Sequence, residues 1–146
     1  MLRTSFSVDI ARSPVDVYRV ISNHENDVKW QSVVAEVQKL SAGPVRAGSR
    51  FRHVLALMGV RMEAELEVAE TRFGEAHAFS ASGGPFAFDA RVILVETAAG
   101  VHVRTDIDGR ARGLGHVAVV TLSHLRRREI AADHLRLKRL MEAGDL

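Results

Sequence analysis

The sequence contains no cysteine among its 146 residues. Disulfide bonds, cysteine-ligated zinc, iron–sulfur clusters and thiol catalysis are therefore excluded, and the absence fits a reducing cytoplasm. No stretch approaches the roughly 20 apolar residues that are needed to span a bilayer. The N-terminal sequence alternates polar and apolar residues and lacks the apolar core of a signal peptide. We expect a cytoplasmic protein without integral membrane association.

An excess of charge of one sign is also lacking. Lysine and arginine number 20 and aspartate and glutamate 18, so the formal net charge is only +2. Nucleic-acid-binding proteins usually concentrate basic residues on one face, with aromatic residues nearby. The only dense basic cluster here is Arg126, Arg127 and Arg128, and Glu129 follows it directly. We therefore expect no nucleic-acid partner.

The hydrophobic content of 47% is sufficient for one compact domain. At this length folding buries roughly 70% of the surface that the unfolded chain exposes, so metals and disulfides are not needed for stability. The sequence shows no internal repeat, low-complexity tract or linker. We predict a single domain over residues 1–146.

Alternating polar and apolar residues predict strands along most of the chain. The first strand is predicted for residues 2–10, and the strongest signal lies at 61–68, where Leu66 and Val68 alternate with glutamates. Further strands are predicted for 33–40, 48–57, 77–81, 86–94 and 101–108. Each has one apolar and one charged face, which is typical of an antiparallel sheet with one side in water.

Helices are predicted after the first strand and at the end of the chain. Ser13 can cap a helix whose first residue is Pro14, and residues 24–30 form a second helical turn. The closing helix is predicted for 114–141, about 40 Å long, which is enough to cross the sheet. Three consecutive helical residues fan through about 200°, so one of the three adjacent arginines is expected at the rim of the interior or inside it.

His53 and His77 lie on the apolar faces of their predicted strands and are the candidate catalytic residues. They would act as polar anchors for a ligand oxygen or as an acid/base pair; alternatively, each is satisfied by a backbone carbonyl or lies at a wet sheet end. Trp30 either covers a cavity or packs between helix and sheet. Thr105 either binds a ligand carbonyl or forms a local hydrogen bond.

Signatures of metal and cofactor sites are missing from the sequence. There is no Ser-His-Asp order, phosphate loop or dinucleotide fingerprint. Residues 24–30 contain several potential ligands, but without a spacing typical of a metal site. We expect neither a metal nor another cofactor.

The order and spacing of several short motifs resemble the START-like superfamily, also called SRPBCC or Bet v 1-like, near its polyketide cyclase/dehydrase and lipid-transport branch. The motifs cover nearly the full length: Ser13-Pro14-x-Asp16-Val17-Tyr18, then Trp30, then Gly43-x-Val45-x-x-Gly48 before Phe51, and Leu135-x-Leu137-Lys138-Arg139-Leu140-Met141-Glu142. The resemblance implies an α+β helix-grip fold. In that fold a seven-stranded curved antiparallel sheet wraps around a long C-terminal helix, two short helices follow the first strand, and a hydrophobic cavity opens near them.

Three functions are compatible with this fold, because fold alone does not fix chemistry. The first is binding of a hydrophobic, lipid- or polyketide-like molecule in the cavity between sheet and helix. The second is a cyclase or dehydratase that acts on a carbonyl compound without a metal or nucleotide cofactor. The third is a protein-interaction module, in which outward-facing Ile93 and Val95 would mark a homodimer edge. The predicted ligand-binding residues are Trp30, Phe51, His53, Leu55, Leu66, His77, Phe79, Phe88, Val103 and Thr105.

Overall fold

In the computed structural model we describe residues 2–57, 59–83, 87–110 and 115–146, with side chains over 3–109 and 126–146 within those ranges. The elements in chain order are β1 (Leu2–Ile10), α1 (Pro14–Ser22), a 3-10 turn (His24–Asn26), α2 (Asp27–Trp30), β2 (Val34–Lys39), β3 (Arg50–Leu57), β4 (Val60–Arg72), β5 (Ala76–Ser82), β6 (Ala87–Thr97), β7 (Gly100–Arg110) and α3 (Gly115–Glu142). Residue 114, where the sequence places the start of the last helix, lies outside the described residues.

The seven strands form one antiparallel sheet in the order β1-β7-β6-β5-β4-β3-β2. Strands β2 to β7 are joined as a meander, and β1 closes against β7 at the far edge of the sheet. The long helix α3 packs along β1, while α1 contacts β5, β6 and β7, and α2 contacts β2 and α3. The predicted α+β helix-grip architecture is confirmed.

The first helix begins as its sequence predicts. The Ser13 hydroxyl accepts a hydrogen bond from the Asp16 backbone N–H at 3.1 Å, and Pro14 occupies the first turn. This satisfies one of the N–H groups that a helix start leaves free. The short segment that follows α1 forms two consecutive helical elements, the 3-10 turn and then α2. Among the described residues no helix is both long and apolar enough to cross a membrane.

The outer face of the sheet carries paired charges. Arg52 and Glu63 form an ion pair across β3 and β4, and Arg91 and Glu70 form another at 3.2 Å. Cross-strand pairs of this kind stabilise a sheet modestly and keep its outer face in water. Val95 is exposed on this face, and the homodimer edge that it would mark remains a prediction.

Among the side chains that the structure describes, two hydrophobic clusters hold the sheet and helices together. The larger joins α1, Trp30, the strands β1, β7 and β6 at one edge of the sheet, and the end of α3, and it includes Val17, Val101, Leu137 and Met141, each at most 1% exposed. The smaller lies on β3 and β4, where Phe51 packs with Leu66 and Val68. Because the two clusters occupy different parts of the inner face, the space between them can remain open.

A β-bulge in β4 changes which side chains face inward. The register with β5 shifts between Val68 and Glu70, so the alternation that places Leu66 and Val68 inside does not continue to Glu70. Thr71 instead turns toward the inner side, where its hydroxyl lies 3.1 Å from His77 Nδ1. If the alternation of residues 61–68 continued beyond Val68, Thr71 would lie on the outer face.

Candidate functional site

A cavity of about 250 Å³ lies between the inner face of the sheet and helix α3. Its wall is mostly apolar, and its polar part lies where α2 meets β3 and where α3 meets β7. The lining includes Phe6, Ile21, His24, Asp27, Trp30, His53, Leu55, Leu66, Phe79, Phe88, Val92, Val103, Thr105, Arg126, Asp133, His134 and Leu137.

Eight of the ten predicted ligand-binding residues line this cavity: Trp30, His53, Leu55, Leu66, Phe79, Phe88, Val103 and Thr105. Phe51 and His77 do not. Phe51 is fully buried in the smaller hydrophobic cluster, and His77 lies behind His24, with its ring hydrogen-bonded on both sides. The roles of all ten in binding remain predictions.

The polar end of the cavity is built from three elements. Asn23 caps the 3-10 turn by accepting from the Glu25 N–H at 3.3 Å, and this places His24 and Asp27 three residues apart on one side of a helical turn. Strand β3 brings His53 to the same place. All three side chains are buried, and Asp27 is 2% exposed. We call these three residues the His–Asp–His cluster.

Asp27 accepts a hydrogen bond from both histidines of the cluster. Its Oδ2 lies 2.9 Å from His24 Nδ1 and 3.0 Å from His53 Nε2. Because an ionised carboxylate can only accept, the ring N–H groups must be on those two nitrogens. The second oxygen, Oδ1, and the other ring nitrogen of His53 are buried and have no hydrogen-bond partner within the part of the chain that the structure describes.

The hydrogen bonds continue from the cluster into the sheet. A neutral His24 with its proton on Nδ1 leaves Nε2 bare, so His77 Nε2–H donates to it at 2.8 Å. His77 Nδ1 then accepts from the Thr71 hydroxyl. The Thr71 oxygen in turn accepts from the Tyr18 hydroxyl. One chain of hydrogen bonds therefore connects the cavity wall to Tyr18 of α1.

Charge in this region is set by burial and by the cluster itself. Burial raises the pKa of Asp27, but the attraction of His24 and the hydrogen bonds from both histidines outweigh burial, so this pKa is lowered and Asp27 is ionised. Burial, reinforced by the electrostatic influence of the neighbouring His24 ring, lowers the pKa of His77 to about 3. His77 is therefore neutral in the physiological range and serves as a hydrogen-bonding group.

A second polar group lies where α3 meets β7. His134 donates from Nδ1 to the Ile130 carbonyl at 2.8 Å, so its Nε2 accepts from the Thr105 hydroxyl at 3.0 Å. The hydrogen-bond partner of Thr105 is thus on α3 and not within its own strand. Because Thr105 also lines the cavity, its role in ligand binding remains a prediction. Burial lowers the pKa of His134, despite the opposing effect of the Ile130 carbonyl and Asp133.

Arg126 is the member of the arginine cluster that turns toward the interior. Its side chain is 26% exposed, lines the cavity and lies 3.8 Å from Glu129. Arg127 is exposed at the margin of the cavity, and Arg128 is exposed. Burial lowers the pKa of Arg126. The helical fan predicts one inward arginine, and the structure identifies which one it is.

The His–Asp–His cluster has the donor set of a metal site. His24, Asp27 and His53 each contribute one ligand atom, and these atoms lie within 4.8 Å of one another. Imidazole nitrogen and carboxylate oxygen are ligands of zinc and other divalent transition metals. The sequence alone predicts no metal here, because residues 24–30 contain several potential ligands without a spacing typical of a metal site. The third donor is on β3, 26 residues after Asp27, and only the inward alternation of His53 hints at it.

Comparison with known proteins places the chain in a family. Residues 1–142 match the model of the family described as polyketide cyclase/dehydrase and lipid transport. No curated protein sequence matches.

Solved structures share the fold at low sequence identity. The di-domain ARO/CYC BexL from the BE-7585A biosynthetic pathway is 18% identical, with a TM-score of 0.75 over 97% of this chain and 47% of that chain. A START superfamily protein from Mycobacterium smegmatis is 17% identical, with a TM-score of 0.68 over 91% of this chain and 98% of that one. Ara h 8.0201 is 11% identical, with a TM-score of 0.66 over 93% and 97% of the two chains.

The family match extends over nearly the whole chain. The START superfamily protein from Mycobacterium smegmatis shares the fold formed by the sheet, the two short helices and the long closing helix. The chain therefore belongs to the polyketide cyclase/dehydrase and lipid transport family.

Proposed function

We propose that this protein binds a hydrophobic small molecule in the cavity between the sheet and α3. The supporting observation is the composition of the cavity wall, in which polar side chains are confined to a few positions between apolar ones. Ligand sites commonly combine shape-matched apolar surface with few polar groups that fix orientation. The description of the family, which includes lipid transport, supports the same class of ligand.

The size of the cavity limits the ligand. Its volume of about 250 Å³ lies below the roughly 300–1,000 Å³ of most drug-sized sites. We therefore propose a compact ligand, such as one or two fused rings or a medium-length acyl chain, rather than a whole phospholipid. Larger ligands would require the sheet and α3 to move apart.

Two groups on the wall are suited to a ligand oxygen. The Trp30 indole N–H is buried and has no acceptor among the described residues. The Arg126 guanidinium lies against the cavity and is only partly compensated by Glu129 at 3.8 Å. A carbonyl or carboxylate oxygen could accept from either, because a buried donor without a partner is costly. We propose a ligand that is apolar over most of its surface and carries one or two oxygens.

The test uses the single tryptophan of the chain, which lines the cavity. Titration with medium-chain fatty acids and with aromatic polyketide-like phenols should change the Trp30 fluorescence and saturate at one ligand per chain. Leu66→Arg should weaken binding by at least about tenfold, since a buried unpaired charge is strongly unfavourable in an apolar site. Val95→Arg, on the outer face of the sheet, is the matched control and should leave affinity unchanged. If Leu66→Arg and Val95→Arg bound the ligand with equal affinity, the cavity would not be the binding site.

A second candidate function is an enzyme of the cyclase or dehydratase type. The observation that favours it is the presence of three titratable side chains on the cavity wall, in which the Asp27 carboxylate is hydrogen-bonded to both His24 and His53. With Asp27 holding the proton on His53 Nε2, the other ring nitrogen is a free base, and the carboxylate would stabilise the imidazolium that forms. His77 would act only through His24, since it does not line the cavity.

Turnover of a polyketide-like carbonyl substrate tests this second function. His53→Gln should abolish turnover, while His77→Gln should reduce it less. His102→Gln is the matched control, because His102 pairs with Asp9 at 2.7 Å on the exposed side of the molecule. Full activity of His53→Gln would eliminate His53 as the acid/base group.

A further inference from the structure

We propose that His24, Asp27 and His53 bind one divalent transition-metal ion, with zinc as the reference case, at the polar end of the cavity. The proposal concerns the protein without organic ligand, so it is independent of the function proposed above. It rests on the geometry of three donor atoms, on the burial of the carboxylate and on the groups behind His24.

The spacing of the donors fits a shared ion. Asp27 Oδ2 lies 2.9 Å from His24 Nδ1 and 3.0 Å from His53 Nε2. Two donors that are each about 2.1 Å from one ion are about 3.0 Å apart at an angle of about 90° and about 3.4 Å apart at the tetrahedral angle that zinc prefers, so the two spacings would open by a few tenths of an ångström around zinc. All three ligand atoms lie within 4.8 Å of one another. The same distances also suit N–H···O hydrogen bonds, so spacing alone does not decide between protons and a metal.

The burial of Asp27 provides an independent indication. The carboxylate is 2% exposed, and its Oδ1 has no hydrogen-bond partner in the described part of the chain. A buried carboxylate oxygen without a partner is costly in an apolar interior. An ion bound at Oδ2 would compensate the charge of the carboxylate, and Oδ1 could join the coordination or accept from a metal-bound water.

The groups behind His24 suit a metal ligand. A metal requires the lone pair of His24 Nδ1, which moves the ring proton to Nε2, and this N–H then donates to His77 Nε2 at 2.8 Å. His77 passes its own proton to Nδ1 and donates to the Thr71 oxygen. Metal-bound histidines almost always donate their second ring N–H to a fixed acceptor, which orients the ring. The chain of hydrogen bonds can therefore reverse direction without losing a bond.

The site would have open coordination positions. Three protein ligands with further positions free for water or substrate are typical of catalytic rather than structural zinc sites. Because all three ligands line the cavity, those positions would accept a water or an oxygen of the bound molecule, with carbonyl and carboxylate oxygens as the suitable class.

The experiment measures metal binding by the full chain after treatment with a chelator. Zn²⁺ is titrated by competition with a chromophoric chelator, and Co²⁺ by the visible absorption of the protein-bound ion. The wild-type chain should bind one ion. Asp27→Asn and His53→Gln should each weaken binding by more than about 100-fold. His77→Gln removes only the group that is hydrogen-bonded to His24, so it should weaken binding by about 10- to 100-fold.

His102→Gln is the matched control, since it removes an exposed histidine–aspartate pair with only two donors. This variant should bind Zn²⁺ as the wild type does. Because Asp27 and His53 are buried, circular dichroism must show that their variants are folded. If they are not, Co²⁺ bound to the wild-type chain should shift the ring-proton resonances of His24 and His53 and leave those of His102 in place.

Two results would overturn the proposal. One is that the folded wild-type chain binds no Zn²⁺, or binds only the Zn²⁺ that is lost in the His102→Gln variant. In the second case the exposed His102–Asp9 pair would account for the observed binding. The other is a Co²⁺-bound wild type in which the His24 and His53 resonances do not shift. Either result would leave the cluster as a hydrogen-bonded carboxylate, and ligand binding in the cavity would not be affected.

Discussion

Replacing Leu66 by alanine tests whether the inner face of the sheet encloses open space. Leu66 is 4% exposed, packs with Phe51 and Val68, and lines the cavity on another side. The substitution removes three carbons, which corresponds to about 2.4 kcal/mol at about 0.8 kcal/mol per buried methylene. In a fully packed core the void that is left raises the cost to as much as about 5 kcal/mol. Because Leu66 already borders a cavity, it has fewer contacts to lose, and we expect about 2–2.5 kcal/mol.

Val68→Ala is the matched control for this prediction. Val68 is on the same strand and the same face, is 1% exposed, and belongs to the same cluster as Leu66, but it does not line the cavity. Two carbons correspond to about 1.6 kcal/mol of transfer free energy, and the enclosed void adds to it, giving about 2–3 kcal/mol. The cost per carbon should therefore be higher at Val68 than at Leu66.

Urea denaturation followed by circular dichroism gives the free energy of unfolding of both variants. The Leu66→Ala variant should also accept bulkier ligands than the wild type, since the removed carbons enlarge the cavity. A cost per carbon at Leu66 that equals or exceeds the cost at Val68 would mean that Leu66 is enclosed by packed atoms. In that case the sheet and helix are in solid contact there, and the binding proposal loses its main support.

Three further predictions concern stability. Burial lowers the pKa of His134 below its ordinary value of 6.5, so the unfolded state takes up a proton at a higher pH than the folded state. The stability of the wild type relative to His134→Gln should therefore fall as the pH is lowered below about 6.5. A rise in stability would show that the buried ring is charged. Gly100→Ala should unfold the protein or destabilise it by several kcal/mol, because a Cβ there would lie closer than 3.0 Å to the Ile10 carbonyl oxygen. Gly144→Ala has open space around it, so only its positive φ opposes the substitution, and the free energy of unfolding should fall by about 1–2 kcal/mol. Thermal denaturation measures both effects. Ser13→Ala should cost about 1 kcal/mol through loss of the helix cap, and an unchanged melting temperature would contradict that role.

The fold was accessible from the sequence because its signals are local. Alternation in β4 identifies the inward positions of Leu66 and Val68, and Ser13-Pro14 identifies the start of α1. These patterns act over two to four residues, and each requires one face to be covered. Because the helix must cover the apolar faces of all the strands, few ways of packing helix and sheet together are possible. The observed sheet is the one that the family resemblance implies.

The candidate site was less accessible, because its members are distant in sequence. The inward positions of His53 and His77 follow from alternation, but the role of His77 behind His24 does not. Thr71 reaches His77 only because the bulge at Val68/Glu70 shifts the pattern of β4 by one residue. A bulge has no clear signature in this sequence, so its effect on side-chain direction could not be predicted.

The sequence by itself determined the elements, their order and the side of each strand that is buried, because polar and apolar spacing acts within each element. Only the tertiary structure decided that His24 and Asp27 from a helical turn meet His53 from β3, and that Arg126 rather than Arg127 or Arg128 turns inward. The physical reason is that such meetings depend on strand register and on how helix and sheet pack, and both are fixed by the sum of contacts across the whole chain rather than by any one segment.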